Sequence, residues 1–518
     1  MPWVAISEAW YECLANRNRA RRRSLPRFPA QCICPRYGPG LTIFMGYPLV
    51  HILLLLGYVV AVAAGIMGIF WLARQRALPS GFLPSRTMPA WGTALLALGI
   101  ILFELISLKL SSPPVIFWDF LKAYYPAGQA ALQHDPQALK ALIAAGVEGG
   151  FVNIPGVAYL FVPFVWLPPR IAGMLFTVIG VGSTVVAWLL LVRLARLDLR
   201  ERWLLALLFL ANGPLINGLK FGNVSYILII VMAAGLALIR AHRSATAGVL
   251  LGVAAILKPP LAIFGLFFLW RRDWPGVLGL TLAGTVSAAL SLILFGWATN
   301  LYWLQTTIFS YSQKWLAGSS VQSIDAFLLR LHEPPEILLN WSAQAPGPGE
   351  EVLAQGMSGL ILLVAVGASL RRRSITVERD AALARERQDL QYLLAICLCL
   401  LWSPLSWAHY YAWLLIPAAF FLKVQARLAT PRLARIIGWA AIILVTPVVL
   451  WTQSVTHSTV MTVYASFIVS HYLFGGLLWF GLIAWWLART GGLLAAASSV
   501  SASSEAPRAV VQTEWRAD

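Results

Sequence analysis

Long apolar runs alternate with short polar connections along this chain. The runs lie near 43–72, 90–110, 171–193, 203–216, 224–239, 245–257, 260–270, 275–296, 358–370, 391–405, 410–422, 436–452 and 465–488. A straight helix needs about 20 apolar residues to cross the hydrocarbon core, and a barrel strand only about ten. The longer runs therefore read as membrane-spanning helices. The shorter ones read as tilted or broken spans, or as spans continued by polar neighbours. The pattern predicts an all-α, polytopic membrane protein with roughly 11–13 transmembrane helices.

Composition supports this reading. Of 518 residues, 59% are hydrophobic and 12% charged, against about 25% charged in a soluble domain. The net charge of +18 is what a nucleic-acid partner would require, but its distribution excludes one. Arginines and lysines recur in short clusters: Arg74–Arg86, Arg193–Arg202, Arg240 and Arg243, Arg271 and Arg272, Arg371–Arg387, Lys423–Arg435, and Arg489. They occupy every second connection, which is the signature of cytoplasmic loops. The alternate connections, 111–170, 217–223, 258–259, 297–357, 406–409 and 453–464, face outward. They hold few cations and most of the unusual residues. The two long ones are too long to be simple turns.

One feature conflicts with this topology. It places residues 1–40 outside, although they carry six clustered arginines. Either the first run does not span simply, or the natural start lies downstream, with Met45 as a candidate. The apolar stretch from Leu41 to Leu72 is too long for a cleavable signal peptide. The expected organisation is a basic extension over 1–42, an additional span and loop over 43–89, a membrane core over 90–490, and a disordered cytoplasmic tail over 491–518. Five cysteines offer no framework: Cys397 and Cys399 lie inside an apolar run, and Cys32 and Cys34 lack partners at zinc spacing.

The outward connections carry the candidate chemistry. Asp119 sits in Phe117-Trp118-Asp119-Phe120-Leu121-Lys122-Ala123-Tyr124-Tyr125, where the chain leaves the bilayer. A carboxyl among aromatic groups at a membrane face is costly to ionise and suits proton transfer. The competing reading is an interfacial helix cap within a belt formed by Trp118, Tyr124 and Tyr125. Lys258, in Leu257-Lys258-Pro259-Pro260, interrupts an otherwise apolar stretch. Such a break is tolerated against protein or a water-filled cavity, where a lysine calls for an anion such as a phosphate; a snorkelling lysine is the alternative. Lys220 lies in Asn217-Gly218-Leu219-Lys220-Phe221-Gly222-Asn223-Val224-Ser225, which also reads as a plain turn. His409, in Ser403-Pro404-Leu405-Ser406-Trp407-Ala408-His409-Tyr410, is placed to donate to a phosphate or a sugar hydroxyl. Gln322 and Ser323 precede an amphipathic helix, with Ser323 as its N-cap. Arg330 on that helix is either a surface charge or a second phosphate ligand. Glu104 and Lys109 read as a structural pair. The sequence contains neither a glycine-rich nucleotide loop nor a metal-ligand cluster, so neither a cofactor nor a metal is expected.

In this order, Asp119-Phe120 followed by Tyr124, Gly222-Asn223-Val224-Ser225, Lys258-Pro259 and Ser403–His409 resemble the blocks of glycosyltransferase family 87. This is the alpha-mannosyltransferase-like group of the type C membrane glycosyltransferases. Gln322-Ser323 is a weaker fifth block. The resemblance covers roughly residues 90–425. Two positions depart from it: the glycine block usually reads Gly-Gln-x-Asn, and Val321 stands where Asn commonly precedes Gln-Ser.

The resemblance implies the type C architecture with long extracytoplasmic loops. It also implies transfer of a hexose, mannose foremost, from a polyprenyl phosphate donor to a lipid- or glycan-linked acceptor. Transfer would occur on the outer face of a bacterial-type plasma membrane, with inversion. Asp119 then becomes the general base and His409 a second catalytic group. Lys258, Lys220 and Arg330 become ligands of the donor phosphate. Trp118, Tyr124, Tyr125, Asn223, Gln322, Ser323, Trp407 and Tyr410 become sugar or acceptor contacts. The rival reading is a transporter or flippase of lipid-linked sugars, which shares the spans and cations and has no need of the acid.

Overall fold

A computed structural model describes residues 116–147, 149–370, 380–425, 430–447 and 459–504. The extension over 1–42, the additional span over 43–89, the run over 90–110 with Glu104 and Lys109, the arginine loop over 371–379 and residues 505–518 lie outside the described residues. The described residues form an all-α membrane protein, without a strand among them.

Four helices are long and apolar enough to cross a membrane: Pro169–Leu194, Trp274–Phe309, Pro348–Ser369 and Thr459–Arg489. Leu199–Ala211 and Gly213–Phe221, bent by 50°, make a fifth if taken as one span. Val224–Arg240, Ser244–Leu257 and Pro259–Trp270 are shorter apolar helices. Span-length helices therefore number four or five among the described residues, where the run pattern counts more. The difference has local causes. Asn212 caps a new helix by accepting from the Leu215 N–H at 2.9 Å. Gly222, at φ 66°, closes that helix in the left-handed region. Lys258-Pro259 stops another.

The helix ends follow ordinary rules. Pro169 opens its helix. Asp198 and Glu201 form a reciprocal capping box at Leu199–Ala211. Ser244–Leu257 packs against Trp274–Trp303 with almost no separation: a Cβ on Gly248 would lie 2.1 Å from the Gly276 carbonyl oxygen, and one on Gly279 2.1 Å from that of Ala245. Small residues permit such contact between helices in lipid. The long helix is interrupted at Gly296, φ 73°. There Asn300 Nδ2 donates to the freed Gly296 carbonyl at 2.8 Å and to the Ser291 carbonyl at 3.0 Å. The Gly156 N–H donates to Ser291 Oγ at 2.8 Å, which docks the 155–161 turn on this helix.

The basic connections gather at one end of the bundle. Arg240 donates to the Leu194 carbonyl at 2.7 Å and grips Asp389 through two nitrogens, at 3.0 and 2.6 Å. Arg271 donates to Gln391 and Gln388 at 2.6 and 3.0 Å, and Lys423 pairs with the buried Glu201 at 3.3 Å. The same helices have their opposite ends at Val224, Lys258 and His409. The terminal helix His471–Ser504 continues through residues 491–504, which were expected to be a disordered tail; the Ala-rich stretch after Leu493 favours helix.

Candidate active site

The segment that carries Asp119 is clamped on both sides. Phe117, at φ 65°, donates its N–H to the Lys220 carbonyl at 2.7 Å. The segment is thereby tied to the turn that ends at Gly222. A Cβ on Gly222 would come within 2.8 Å of Phe120 Cβ, so both its left-handed backbone and this contact require glycine. Phe120 is fully buried and stacks on Phe176 with centroids 5.0 Å apart, while Tyr124 stacks on Phe161 at 4.5 Å. Across Phe120–Tyr124 the helix winds wide, with the Tyr125 N–H donating to the Phe120 carbonyl. Such turns recur at functional sites.

Asp119 does not cap this turn, since its side chain accepts no capping bond. Its Oδ2 instead accepts from Asn223 Nδ2 at 2.6 Å. The orientation of the Asn223 amide is fixed from the far side, where its Oδ1 accepts from the Ser225 N–H at 3.1 Å and from Ser225 Oγ at 2.8 Å. Only the amide nitrogen is left to face the carboxylate. The interfacial-cap reading of Asp119 therefore fails on geometry.

Lys258 occupies the break between Ser244–Leu257 and the following turn, in extended backbone as a residue before proline prefers. It is 5% exposed. Its Nζ lies 4.9 Å from the Tyr410 ring centroid. The Leu257 carbonyl at this break accepts from Asn153 Nδ2 at 2.7 Å.

His409 lies in the tight turn Ala408–Leu414, aligned by strand-like pairing with a distant loop. The Gln322 N–H donates to the Ser406 carbonyl at 2.6 Å, and the Ala408 N–H to the Ser320 carbonyl at 2.7 Å. Tyr411 Oη donates to the Gln322 carbonyl at 2.7 Å, and Trp413 Nε1 to the Ser225 carbonyl at 3.0 Å. The last bond joins this turn to the block that holds Asn223. His409 is 8% exposed, and its Nε2 is buried with no partner among the described residues.

The three groups sense one another, and all three lie in breaks outside the spans. Desolvation raises the Asp119 carboxyl above its ordinary range, opposed by the Asn223 bond and by the positive charge of Lys258. Desolvation lowers the Lys258 ammonium to about 8, opposed by Asp119. His409 is held well below its ordinary value, first by burial and then by Lys258, so its imidazole is neutral at pH 7. The site thus combines a carboxylate of raised basicity, an adjacent cation and a neutral imidazole with a free ring nitrogen. Among the described residues no three His, Cys, Asp or Glu side chains converge as a metal site needs.

The other sequence candidates divide. Tyr410 lies beneath Lys258 and stacks on Trp413 at 4.9 Å; Tyr124 flanks Asp119. Trp118 is half-buried, with Lys122 Nζ 5.4 Å from its ring centroid. Lys220 joins the site through its carbonyl, and its Nζ lies 5.9 Å from the Phe221 ring centroid. Four candidates are engaged elsewhere. Arg330 is 1% exposed and donates inward to the carbonyls of Ala317, Gly318 and Val321 and to Ser470 Oγ. Gln322 Nε2 bonds the carbonyls of Ser319 and Val469. Ser323 caps Ile324–His332. Tyr125 Oη donates to the Leu167 carbonyl at 3.0 Å. These bonds hold the framework, while Gln322 Oε1 and Arg330 Nε are buried with no partner among the described residues. Two neighbours escape the sequence reading. Tyr226, 1% exposed, lies within electrostatic reach of Asp119, and its hydroxyl has no partner among the described residues; its only signal is its place directly after the glycine block. Asn153 gives no local signal beyond being a lone amide before Ile-Pro.

Residues 151–404 match glycosyltransferase family 87. Over these residues, a little under half of the chain, the protein is similar to that family. The matched stretch contains Asn223 and Lys258; Asp119 and His409 flank it. The chain is 27% identical over 293 residues to the polyprenol-phosphate-mannose-dependent alpha-(1-2)-phosphatidylinositol mannoside mannosyltransferase of Mycolicibacterium smegmatis, a match covering 52% of this chain and 61% of that protein. It is 26% identical over 327 residues to the pentamannoside mannosyltransferase of the same organism, covering 60% and 70%. The Mycobacterium tuberculosis counterpart of the first protein is 26% identical over 291 residues, covering 52% and 61%. The chain thus spans about three fifths of the length of the first relative. No solved structure matches it.

Proposed function

We propose that the chain is a membrane glycosyltransferase that moves mannose from a polyprenyl phosphate carrier to a hydroxyl of a lipid- or glycan-linked acceptor. The observation that carries this reading is the Asp119 carboxylate, held by Asn223 at 2.6 Å and within electrostatic reach of the buried Lys258. The names of the mycobacterial relatives supply the donor class. Asp119 accepts the proton of the acceptor hydroxyl as its oxygen attacks the anomeric carbon. The bond from that carbon to the phosphate oxygen breaks, and the electron pair leaves with the polyprenyl phosphate. Attack from the face opposite the phosphate inverts the anomeric centre. Lys258 offsets the charge on the departing phosphate, and a neutral His409 donates a hydrogen bond to it. The polyprenyl chain stays in the bilayer.

The site sits on the extracytoplasmic side in this reading, at the opposite helix ends from the Arg240, Arg271 and Lys423 clusters. The deciding experiment supplies the purified protein in lipid vesicles with polyprenyl phosphate carrying radiolabelled mannose, and a series of mannosylated phosphatidylinositols and mannoside glycosides. A labelled, elongated acceptor is the expected product. Movement of the donor between leaflets with no acceptor labelling would establish a transporter instead.

A further inference from the structure

A strap of chain runs from the Asp119 segment to the Lys258 break. At its start, a Cβ on Gly149 would lie 3.3 Å from Lys122 Cβ and 3.8 Å from Trp118 Nε1, so the strap passes against residues that flank Asp119. Phe151 is fully buried and donates its N–H to the Leu142 carbonyl at 3.0 Å. The Val152 carbonyl accepts from Trp303 Nε1 at 3.0 Å. At its end the Gly156 N–H is held by Ser291 Oγ. Between these anchors stands Asn153, 5% exposed.

The two ends of the Asn153 amide fare differently. At the Lys258 break the Leu261 N–H, which a continuing helix would give to the Leu257 carbonyl, donates to the Lys258 carbonyl at 3.0 Å instead. Asn153 Nδ2 takes its place on the Leu257 carbonyl at 2.7 Å. That bond fixes the orientation of the amide, because a flipped side chain would set two carbonyl oxygens against each other. Asn153 Oδ1 is left over, buried and with no partner among the described residues. A buried acceptor in this condition costs free energy until a donor reaches it. The neighbourhood limits what that donor is. The residue after Leu257 is Lys258, the cation assigned to the donor phosphate, and it lies within electrostatic reach of Asp119. A phosphodiester has no proton to give at neutral pH, and an amide oxygen repels its charge. The group that suits Oδ1 is a neutral hydroxyl.

We propose that Asn153 Oδ1 accepts a hydrogen bond from a hydroxyl of the sugar being transferred, and so helps to set which donor sugar the enzyme uses. This rests on the glycosyltransferase reading. In that reading the transferring sugar lies between the leaving phosphate, on Lys258, and the attacking hydroxyl, on Asp119. The strap that carries Asn153 runs between the same two places. One amide then has two tasks: Nδ2 closes the break that places Lys258, and Oδ1 reads the sugar joined to the phosphate. A donor without the matching hydroxyl leaves Oδ1 unsatisfied, and a site built to bond a hydroxyl rejects the analogue that lacks it.

The test uses polyprenyl phosphate mannose and its monodeoxy analogues as donors, with one mannosylated lipid as acceptor. The readout is the ratio of kcat/KM for mannose to that for each analogue. Each ratio is internal to a preparation, so a loss of folded protein cancels. Comparing ratios between variants also cancels the intrinsic effect of a missing hydroxyl on reactivity. We expect one analogue to suffer in the wild type about ten-fold more than in Asn153→Ala, the scale of one hydrogen bond, while the other analogues give equal ratios in both proteins. Asn153→Asp keeps the oxygen and loses the N–H donor to Leu257; it should slow every donor and keep the selective ratio. Ratios that Asn153→Ala leaves unchanged for every analogue, or a wild-type enzyme indifferent to the removal of each hydroxyl, overturn the contact. A preference lost equally in Asn153→Asp overturns it too, because the effect then belongs to closure of the break. A wild-type protein that transfers mannose from the unmodified donor to no mannosylated lipid or mannoside glycoside overturns the underlying glycosyltransferase reading instead.

Discussion

Asp119→Asn removes one proton acceptor and leaves most of the local structure in place. The oxygen of the introduced amide can still accept from Asn223 Nδ2, so the 2.6 Å contact changes from a charge-assisted to a neutral hydrogen bond. Such bonds contribute about 1.5–3 and 0.5–1.5 kcal/mol respectively, a loss on the order of 1 kcal/mol. That loss is offset in part because a desolvated charge is no longer held among Phe120, Tyr124 and Tyr226. The packing of Phe120 on Phe176 and of Tyr124 on Phe161 is untouched. The variant should therefore insert and fold.

Catalysis should respond differently. An amide cannot take the acceptor proton at neutral pH, and general base catalysis typically contributes 10²–10⁴-fold, or about 3–5 kcal/mol of barrier. The rate effect thus exceeds the fold effect several times over. The assay is mannose transfer at matched protein level, read together with thermal unfolding. Asp119→Glu tests placement, since an added methylene moves the oxygen by about an ångström, a shift that can cost roughly 100-fold. Transfer by Asp119→Asn within about ten-fold of wild type would refute Asp119 as the base. A rate loss matched by an equal loss of folded protein would refute the separation of the two effects.

Lys258→Ala should weaken use of the donor by one to two decades, from the loss of a charge-assisted contact of about 1.5–3 kcal/mol, and spare the acceptor KM; donor kinetics with a short-chain polyprenyl phosphate mannose check this. The pH–rate profile should be bell-shaped. Its acid limb lies above the ordinary carboxylate range, because Asp119 must lose its proton and its pKa is raised. Its basic limb begins near the point where Lys258 loses its charge, about 8, and a profile still flat well above that pH would remove Lys258 from the reaction. Arg330→Met should act on stability, lowering it by about 2–4 kcal/mol as buried carbonyls of the 317–321 loop lose their donor; unfolding measurements alongside donor KM separate this from a phosphate ligand, whose loss would raise that KM at constant stability. In a cysteine-free background in intact cells, a cysteine at Ser342 should react with an impermeant reagent and one at Arg272 should be protected; the reverse pattern would invert the topology.

Much of the helical framework is legible in the sequence because its signals are local. Arginine clusters mark one end of the bundle, and Ser323 announces the helix start that it caps. Lys258-Pro259 is legible as a break for the same reason: a charge and two prolines contradict the apolar run around them. Arg330 shows where local reasoning stops. Two turns past the Ser323 cap it lies on the inner face of its helix, and an arginine facing inward suggests a ligand. Its partners are carbonyls of a turn about ten residues upstream and a serine 140 residues downstream, and no pattern near Arg330 encodes them.

The site itself follows from where the helices fail. A regular helix satisfies its own backbone and sends its side chains outward around a cylinder, so groups from separate helices do not converge along their middles without help. Asp119 lies at the start of a wide turn, Asn223 follows a left-handed glycine, Lys258 fills the gap before a proline and His409 occupies a tight turn. Each interruption exposes backbone polar groups that lipid cannot satisfy. In this chain they are met by protein: the Lys220 carbonyl receives Phe117, the Leu257 carbonyl receives Asn153, the Ser225 carbonyl receives Trp413 and the Ser320 carbonyl receives Ala408. Two of these bonds, from Phe117 and Trp413, tie the Asp119 and His409 segments to the Asn223 block, and the other two dock the Lys258 break on Asn153 and the His409 turn on Ser320. In a soluble enzyme water could take over part of that repair and leave the loops independent. At a membrane face, closing the backbone and bringing the carboxylate and imidazole segments onto the Asn223 block become one requirement, which is why polar breaks in an apolar sequence point to Asp119 and His409.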